Sequence, residues 1–483
     1  MMNHIGFNFD TTYIHLSNTL FTFNHPEQVR NPSLIIVNHD LSKDLGLDLS
    51  SLDDQACAAL FAGTHPPEGV VFFSQAYSGH QFGYYSVLGD GRAHLWGEHL
   101  DPGGKRYDIQ FKGSGRTPYT RGGDGKAALS PMLREYLISE AMHYLGVATT
   151  RSLAVVSTST TVIRDELLDG AILTRVASSH IRVGTFEYAK EQGISVLSEL
   201  LDYTVARHFP ELSQSDNKAL KLFERVMHQH IDLVVDWMRV GFIHGVMNTD
   251  NMAICGETID YGPCAFMDAY HLKTVFSSID TEGRYAYGHQ PKIVKWNLAV
   301  FASSLLPLVD PDRVKAVQLV TNILDQFEGA YDKKWVGMMR KKLGLSGEQQ
   351  GDKGLILDLL TWMQKNGVDY THTFLGLSEG RKPSGVIYQD EGFSEWYTHW
   401  TTRLALNKIS EKESLNLMRS VNPAIIPRNA KVEFALSAAI EGDFAPFNHL
   451  LALLKDPYNN RSELGPYQDP PPDSYGYQTF CGT

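Results

Sequence analysis

The sequence predicts an α+β protein with a β-rich N-terminal lobe and a large helical C-terminal lobe. Short runs of β-branched and aromatic residues, separated by glycine turns, fill residues 71–125 and 150–185. From about residue 190 onward, apolar residues recur at helical spacing, and Lys218 to Val240 forms one long amphipathic stretch. This order of elements indicates two lobes, and other α+β arrangements share it.

We divide the chain into four segments on the basis of this pattern. Residues 1–70 are predicted to form an N-terminal extension that packs on the lobes, and residues 71–188 to form the β-rich lobe with its glycine turns. Residues 189–456 are predicted to form the helical lobe, which includes the polar segment at residues 244–262. Residues 457–483 form a proline-rich, extended tail that carries Cys481.

Turn residues predict how the first strands pair. Residues 84–88 and 93–96 are two β-like runs, and the Asp90-Gly91 pair between them predicts a hairpin. Residues 107–112 form a third strand that ends in a glycine turn.

A helix is predicted to follow this third strand. Ser130 is a cap residue, Pro131 stands at the first helical position, and Gly146 closes the helix after an apolar face that ends at Leu145. Further helical runs are predicted at residues 293–309, 315–330, 354–365 and 430–454.

The composition limits the class of protein. The 483 residues include 43 Lys and Arg against 55 Asp and Glu, which gives a net charge of −12. A chain this acidic is not expected to coat nucleic acid or bind an anionic membrane. Residues 1–7 show no charged and apolar pattern typical of a secretory signal, so we expect none. The sequence contains no uninterrupted apolar run of membrane-spanning length and no Cys-x-x-Cys pair. We therefore expect a cytoplasmic protein without a nucleic-acid or membrane partner; the sequence does not fix its oligomeric state.

One segment concentrates the side chains suited to metal chemistry. It reads His244-Gly245-Val246-Met247-Asn248-Thr249-Asp250-Asn251 and is followed, after a predicted short strand at residues 252–254, by Asp260-Tyr261-Gly262. Asn251 and Asp260 offer amide and carboxylate oxygens, which suit Mg²⁺ or Mn²⁺. The order of these parts resembles the catalytic loop and Asp-Phe-Gly segment of protein kinases, where an Asn and an Asp hold the metal ions on ATP. We therefore predict a protein-kinase-like two-lobe fold.

The role of Asp250 stays open at this point. In protein kinases the catalytic base is an Asp five residues before the metal-binding Asn. The corresponding residue here is Val246, so the usual base is absent. Asp250 either abstracts the proton from a neighbouring position or supports the metal as an outer residue.

Lys112 and Glu135 are predicted to form an ion pair near the nucleotide. Lys112 ends the third predicted strand, and Glu135 lies 23 residues later on the following helix. Phosphoryl-transfer folds place a strand lysine on the nucleotide phosphates and orient it with a helical glutamate. A carboxylate is needed because the lysine stem is flexible.

Two glycine turns are candidates for phosphate binding. Residues 89–92 and residues 121–126 are rich in glycine, so their backbone amides can approach phosphate oxygens closely. The first turn also contains Arg92, and Arg175 and Arg182 lie in the second β-like region. Together the three arginines would form a bidentate phosphate clamp.

With these residues assembled, the chain resembles the selenoprotein O family, kinase-fold proteins of bacteria and mitochondria. The resemblance covers nearly the whole chain. It is carried by the strings Tyr77-Ser78-Gly79-His80-Gln81-Phe82-Gly83, Gly89-Asp90-Gly91-Arg92, Phe111-Lys112-Gly113-Ser114-Gly115, Gly123-Asp124-Gly125, His244 to Met252 and Asp260-Tyr261-Gly262-Pro263.

The resemblance implies an adenylyltransferase. Members of that family bind ATP in an orientation inverted relative to kinases and transfer AMP to hydroxyl side chains of proteins. It implies Asp250 as proton acceptor and Asn251 and Asp260 as ligands of Mg²⁺. The implied nucleotide-binding set is Gly89, Gly91, Arg92, Lys112, Asp124, Gly125, Arg175, Arg182 and Asp260. It also implies a redox role for Cys481, whose disulfide partner among Cys57, Cys255 and Cys264 stays open.

Three functions are therefore compared. The first is a metal-dependent protein adenylyltransferase that acts on Ser, Thr or Tyr hydroxyls. The second is a kinase of proteins or small molecules with Asp250 as a displaced base, and the third is a non-catalytic ATP-binding pseudokinase module. Val246 disfavours the second, and the presence of Lys112, Glu135 and both metal-ligand candidates disfavours the third.

Overall fold

The computed structural model describes residues 5–471 and 477–479, so the predicted redox residue Cys481 lies outside the described residues. The strands are β1 (Phe21–Phe23), β2 (Ser33–Val37), β3 (Phe73–Gln75), β4 (Ser78–Gln81), β5 (Tyr84–Val87), β6 (Ala93–Leu100), β7 (Arg106–Lys112), β8 (Ala127–Ala128), β9 (Arg151–Ile163), β10 (Leu167–Ala177), β11 (Phe242–Ile243) and β12 (Ala265–Phe266). The helices are α1 (His39–Asp44), α2 (Asp54–Phe61), α3 (Leu129–Tyr144), α4 (Val183–Gln192), α5 (Ile194–His208), α6 (Lys218–Val240), α7 (Gln290–Val309), α8 (Arg313–Leu324), α9 (Phe327–Lys342), α10 (Asp352–Asn366), α11 (Tyr370–Leu377), α12 (Glu391–Leu404), α13 (Glu411–Arg419), α14 (Asn429–Ile440), α15 (Ala445–Leu454) and α16 (Gly465–Gln468).

The main sheet of the N-terminal lobe follows the order β1-β3-β6-β7-β10-β9-β2, with β8 beside β10, and neighbouring strands run antiparallel. Successive side chains of a strand point to opposite faces. Leu173 of β10 accordingly packs in the large core that includes Leu133 of α3, whereas Ile172 packs in the smaller core with Phe61 of α2. The predicted extension, residues 1–70, supplies β1 and β2; the four-segment division itself remains a prediction.

The predicted hairpin between residues 84–88 and 93–96 is wrong. Strand β5 pairs with β4, while β6 pairs with β7 and β3. The true turn is Phe82-Gly83, where φ is 51° and 91°. Positive φ at both central residues matches the type I′ turn that two-residue hairpins prefer. The Asp90-Gly91 pair lies in the connection between β5 and β6.

The start of helix α3 also differs from the prediction. The helix begins at Leu129, and Ala128 before it provides no side-chain cap, so Ser130 is not the cap residue. Pro131 still lies in the first turn, where a missing N–H costs no helical hydrogen bond. The predicted closure holds, because Gly146 adopts a φ of 71° just after the helix.

Two other local predictions are wrong. Residues 252–254 do not form a strand; Ala253 makes an isolated bridge to Arg182. The tail was predicted to be extended from residue 457, but its described part contains a 3₁₀ turn at Ser462–Leu464 followed by α16.

The C-terminal lobe is helical, as predicted. Helix α6 has the predicted bounds because Asn217 caps its first turn, accepting a hydrogen bond from the Leu220 amide, and Gly241 ends it with a φ of 74°. The predicted run 315–330 is divided between α8 and α9. The strand-rich and helical lobes confirm the predicted α+β class with a kinase-like, two-lobe layout.

One helical stretch, Tyr287–Val309, is long and apolar enough to cross a membrane by length and composition, and half of its apolar window is buried. It consists mainly of α7, which packs against α4, α6 and α8. Phe301 and Leu305 of this helix are fully buried in the large core. Its apolar surface is therefore used for packing within the lobe.

Candidate active site

A cleft of ≈520 Å³ contains most of the predicted site residues. Glycine turns of the N-terminal lobe line one side, and the catalytic loop lines the other. The predicted residues that line it are Gly89, Gly91, Arg92, Lys112, Asp124, Gly125, Asp250, Asn251 and Asp260. Arg175 and Arg182 are buried behind this surface.

Lys112 is held between two carboxylates at the end of β7. Its Nζ lies 2.6 Å from Glu135 Oε2 on α3 and 2.5 Å from Asp260 Oδ1. The predicted Lys112–Glu135 contact is thus present in the structure. Because both carboxylates hold the ammonium, the flexible lysine stem is fixed at the cleft before any ligand binds.

Asp260 is fixed from behind by Arg175. The Arg175 Nη1 donates to Asp260 Oδ1 at 2.8 Å and approaches Glu135 Oε1 at 3.4 Å. Burial alone would raise the pKa of the Asp260 carboxyl, but Lys112 and Arg175 outweigh burial and hold that pKa well below its usual range. Asp260 is therefore an anion in the folded chain. Its backbone is in the left-handed region, with a φ of 64°.

Arg182 lies behind Asp250 rather than at the cleft surface. Its Nη1 donates to the Asp250 carbonyl at 3.1 Å, and its guanidinium lies over the Tyr77 ring, 4.2 Å from the centroid. Nη2 is buried, has no hydrogen-bond partner, and lies 3.8 Å from Asp90 Oδ1. This charged donor beneath the catalytic loop therefore has a long ionic contact but no hydrogen bond.

Asp250 carries a buried carboxylate with an unused acceptor. The residue is 8% exposed, and its Oδ1 has no hydrogen-bond partner. Burial raises the pKa of Asp250 to about 6, and Arg182 opposes part of that rise. An unpaired buried carboxylate oxygen costs folding free energy, which is typical of a group kept for chemistry.

The hairpin β4–β5 holds the catalytic loop in place. The His80 amide donates to Thr249 Oγ1 at 2.7 Å, and the Phe82 amide donates to Asn248 Oδ1 at 3.1 Å. Backbone groups of one lobe thus position the residues that precede Asp250. This contact could not be predicted from local sequence signals, because the two segments are more than 160 residues apart.

The donor set fits a hard divalent cation. Within residues 5–471 and 477–479, no three His, Cys, Asp or Glu side chains form a metal-binding group. Asn251 Nδ2 donates to the Val246 carbonyl at 3.1 Å, which leaves the amide oxygen for a ligand. Together with the ionised Asp260 this supplies two oxygen donors, and Mg²⁺ commonly takes one or two protein oxygens and completes its shell with phosphate and water.

The second glycine turn depends on close backbone packing. Gly125 has a φ of 69°, and a Cβ at this position would fall 2.2 Å from the Gly115 carbonyl oxygen. Asp124 in the same turn accepts two hydrogen bonds from Arg164, at 2.9 and 3.1 Å. Arg164 also lines the cleft. It was not predicted as a site residue, because it lies 40 residues from Asp124, on the β9–β10 connection.

A cleft that joins a strand lysine, a helical glutamate and an Asp-Asn pair with a second Asp defines a kinase-like nucleotide-binding enzyme. Comparisons with known proteins identify the family within this class. The chain matches the family described as "Protein adenylyltransferase SelO" over residues 3–455 and belongs to that family.

Curated relatives cover the whole length of the chain. Proteins of Pelagibacter ubique and Geobacillus kaustophilus are each 52% identical over 481 residues, covering 99% of this chain and 100% and 99% of the relatives. A protein of Alcanivorax borkumensis is 53% identical over 486 residues, covering 100% of both chains. All three are named "Protein nucleotidyltransferase YdiU". Among solved structures, the chain is similar to a Toxoplasma gondii virulence factor described as having a protein-kinase fold and no enzymatic activity. The two are 10% identical, the match covers 70% of this chain and 88% of the other, and the TM-score is 0.25.

Proposed function

We propose that this chain transfers AMP from ATP to the hydroxyl groups of Ser, Thr or Tyr side chains in proteins. The observation that carries the proposal is the carboxylate of Asp250, which is buried at the cleft with a free Oδ1. Val246 occupies the position of the usual kinase base, five residues before Asn251. Membership of an adenylyltransferase family supports AMP as the transferred group.

In the proposed step, Asp250 accepts the proton of the acceptor hydroxyl. The hydroxyl oxygen forms a bond to the α-phosphorus of ATP, the bond from that phosphorus to the bridging oxygen breaks, and pyrophosphate leaves. Lys112 and the arginines offset the charge on the phosphates, and positioning supplies the remainder of the rate enhancement. A bound Mg²⁺ or Mn²⁺ would add charge neutralisation of the phosphates and the leaving group.

We propose that Asn251 and Asp260 hold this metal ion and that ATP lies inverted relative to kinases. The support is electrostatic. Arg92, Arg121 and Lys126 of the two glycine turns line the cleft and concentrate positive charge on that side. That distribution suits β- and γ-phosphates placed on the far side of the cleft, with the α-phosphate toward Asp250. We also propose that the nucleotide-binding residues predicted from the sequence contact ATP. A cytoplasmic location is likewise proposed.

The test uses the purified full-length chain, a mixed protein extract and Mg²⁺, with ATP labelled at the α- or the γ-phosphate. We expect label to enter protein only from α-labelled ATP. Label only from γ-labelled ATP would establish a kinase and refute the proposal. ATP binding without transfer of either label would establish a non-catalytic module.

The two roles left open for Asp250 are separated by Asp250→Asn. If Asp250 is the proton acceptor, this variant keeps the affinity of the chain for ATP and Mg²⁺ and loses transfer. If Asp250 instead supports the metal ligands, metal affinity falls together with transfer, by about 10- to 100-fold for a lost outer contact. Titration of ATP binding against Mg²⁺ or Mn²⁺ concentration makes the distinction.

A further inference from the structure

A second cavity, of ≈740 Å³, lies in the C-terminal lobe and shares no lining residue with the ATP cleft. It opens between α7, α9 and α10. Six aromatic residues line it: Tyr270, Tyr287, Phe327, Tyr331, Trp335 and Tyr370. A mostly apolar cavity of this size, with a few polar groups directed into it, is typical of a small-molecule site.

Two tyrosine hydroxyls of this lining have no protein partner. Tyr287 and Tyr370 donate to the Met238 carbonyl at 2.7 and 3.0 Å. Tyr270 is only 5% exposed, and neither its hydroxyl nor that of Tyr331 forms a hydrogen bond within the described ranges 5–471 and 477–479. Burial raises the pKa of both tyrosines, so both hydroxyls are protonated at neutral pH. They are available as donors to a ligand.

The rim of the cavity carries one excess positive charge. Both acidic lining residues already have lysine partners: Glu328 pairs with Lys295, and Asp332 pairs with Lys353 at 2.5 Å. Lys292, the remaining charged lining residue, has no carboxylate within ion-pair distance in the part of the chain that the structure describes. An anionic group at the rim would therefore be attracted, and a cationic one repelled.

We propose that this cavity binds an amphipathic carboxylic acid, with its apolar body among the aromatic rings and its carboxylate between Lys292 and the free tyrosine hydroxyls. Each part of the ligand matches one observed feature. The rings remove apolar surface from water, the hydroxyls donate to the carboxylate, and Lys292 balances its charge.

The wall of this cavity also supports the catalytic loop. Tyr287 holds the end of α6 through Met238, and the neighbouring Gln290 donates to the Phe242 carbonyl at 3.0 Å and accepts from the His244 amide at 3.0 Å. A ligand that fills the cavity stabilises this support, because it binds only the folded chain. We therefore expect occupancy to raise the melting temperature of the protein.

The binding test uses cis-parinaric acid, a fluorescent carboxylic acid with an apolar chain, and the full-length protein without ATP. We expect its fluorescence to rise on binding and to fall again when decanoate competes. Decylamine has a similar chain with a cationic head and is expected to compete at least 10-fold less well, a difference of about 1.4 kcal/mol. Equal competition by decanoate and decylamine would overturn the proposal that the ligand of this cavity is an anion.

Three variants and one matched control test whether the probe binds in this cavity. Gly329 lines the cavity on α9, and a Cβ there meets no atom within 4 Å, so we expect the ring of Gly329→Trp to obstruct its mouth. Gly354→Trp is the matched control, because Gly354 is also helical with open space around it but lies outside the lining. We expect the first to abolish probe binding and the control to retain it. Lys292→Ala and Tyr270→Phe are expected to weaken decanoate more than the neutral analogue decanol.

The proposal is overturned if Gly329→Trp binds the probe like Gly354→Trp while Lys292→Ala and Tyr270→Phe also leave decanoate affinity unchanged. Melting curves supply an independent readout. We expect decanoate to raise the melting temperature of the wild-type chain and of Gly354→Trp, but not that of Gly329→Trp. An equal rise in all three proteins would place the ligand elsewhere and also overturn the proposal.

Discussion

Gly79 of strand β4 lies directly against the carboxylate of Asp250. A Cβ built at position 79 would fall 2.4 Å from Asp250 Oδ1 and 2.9 Å from its Cγ. The backbone of the hairpin therefore reaches the proposed proton acceptor at a distance that only glycine permits. This contact explains in physical terms why a glycine stands in the Ser78-Gly79-His80 segment.

Gly79→Ala is therefore expected to displace the Asp250 side chain and to reduce AMP transfer on the order of 10- to 100-fold, as misplacement of a reacting group by about 1 Å does. Rates of transfer from α-labelled ATP are the measurement. The control Gly354→Ala adds the same methyl group in open space and should keep the wild-type rate. A wild-type rate in Gly79→Ala would show that the position of Asp250 is not critical.

Asp260→Asn should abolish transfer and leave the fold intact. Asparagine tolerates the left-handed backbone that Asp260 adopts, so the change removes charge rather than geometry. Lys112 and Arg175 lose their shared anion, and the proposed metal loses a ligand, so we expect a loss of at least about 100-fold. Circular dichroism should match the wild type. Asp325→Asn, at the exposed end of α8, is the control, and substantial transfer by Asp260→Asn would remove Asp260 from the site.

The raised pKa of the Asp90 carboxyl leads us to expect that the stability of the protein depends on pH. Burial raises the pKa of Asp90 from 3.8 to about 6, with Arg182 opposing part of the rise. The folded chain therefore holds this proton more tightly than the unfolded chain. The stability that the group contributes is complete below about pH 4 and is lost as the pH rises through about 6.

Asp90→Asn imitates the protonated form and keeps an acceptor for the Gln75 amide, which now donates to Asp90 Oδ2 at 2.9 Å. Relative to the wild type, the variant should therefore be more stable at about pH 8 than at about pH 4.5. The gain in its free energy of unfolding should be on the order of 2–3 kcal/mol at most. Denaturant titrations at the two pH values measure the difference. A difference that does not change with pH would show that Asp90 ionises normally in the folded chain.

Arg428→Met is expected to destabilise the C-terminal lobe strongly. Arg428 is 1% exposed and pairs with Asp268 Oδ1 and Asp369 Oδ2, each at 2.6 Å. Its loss leaves two carboxylates without a counterion, which costs about 3–5 kcal/mol in buried sites. Arg419→Met on the exposed side of α13 should change the free energy of unfolding by less than about 0.5 kcal/mol. Equal effects of the two changes would show that the Arg428 contacts contribute nothing.

Local sequence signals were enough for the parts of the site that depend on neighbouring elements. Lys112 and Glu135 lie on a strand and the helix that follows it, so their contact needs only the correct order of elements. The caps of α6, Asn217 and Gly241, are likewise signals carried by the residues at its ends. The helical lobe was predictable for the same reason.

Contacts that depend on strand register were beyond the sequence. Arg175 lies behind Asp260 because β10 is in register with β7, with Arg175 opposite Gln110. A one-residue shift would reverse the face on which its side chain lies. The hairpin error has a similar origin: Asp90-Gly91 is the commoner turn signal, but the turn forms at Phe82-Gly83, a pair without that signal.

The two amide contacts from the β4–β5 hairpin to residues 248 and 249 tie this hairpin to the catalytic loop. A hinge that swung the lobes fully apart would have to break the bonds from His80 to Thr249 and from Phe82 to Asn248 at once. We therefore expect the β4–β5 hairpin and residues 248–250 to move together as one unit in any opening of the cleft.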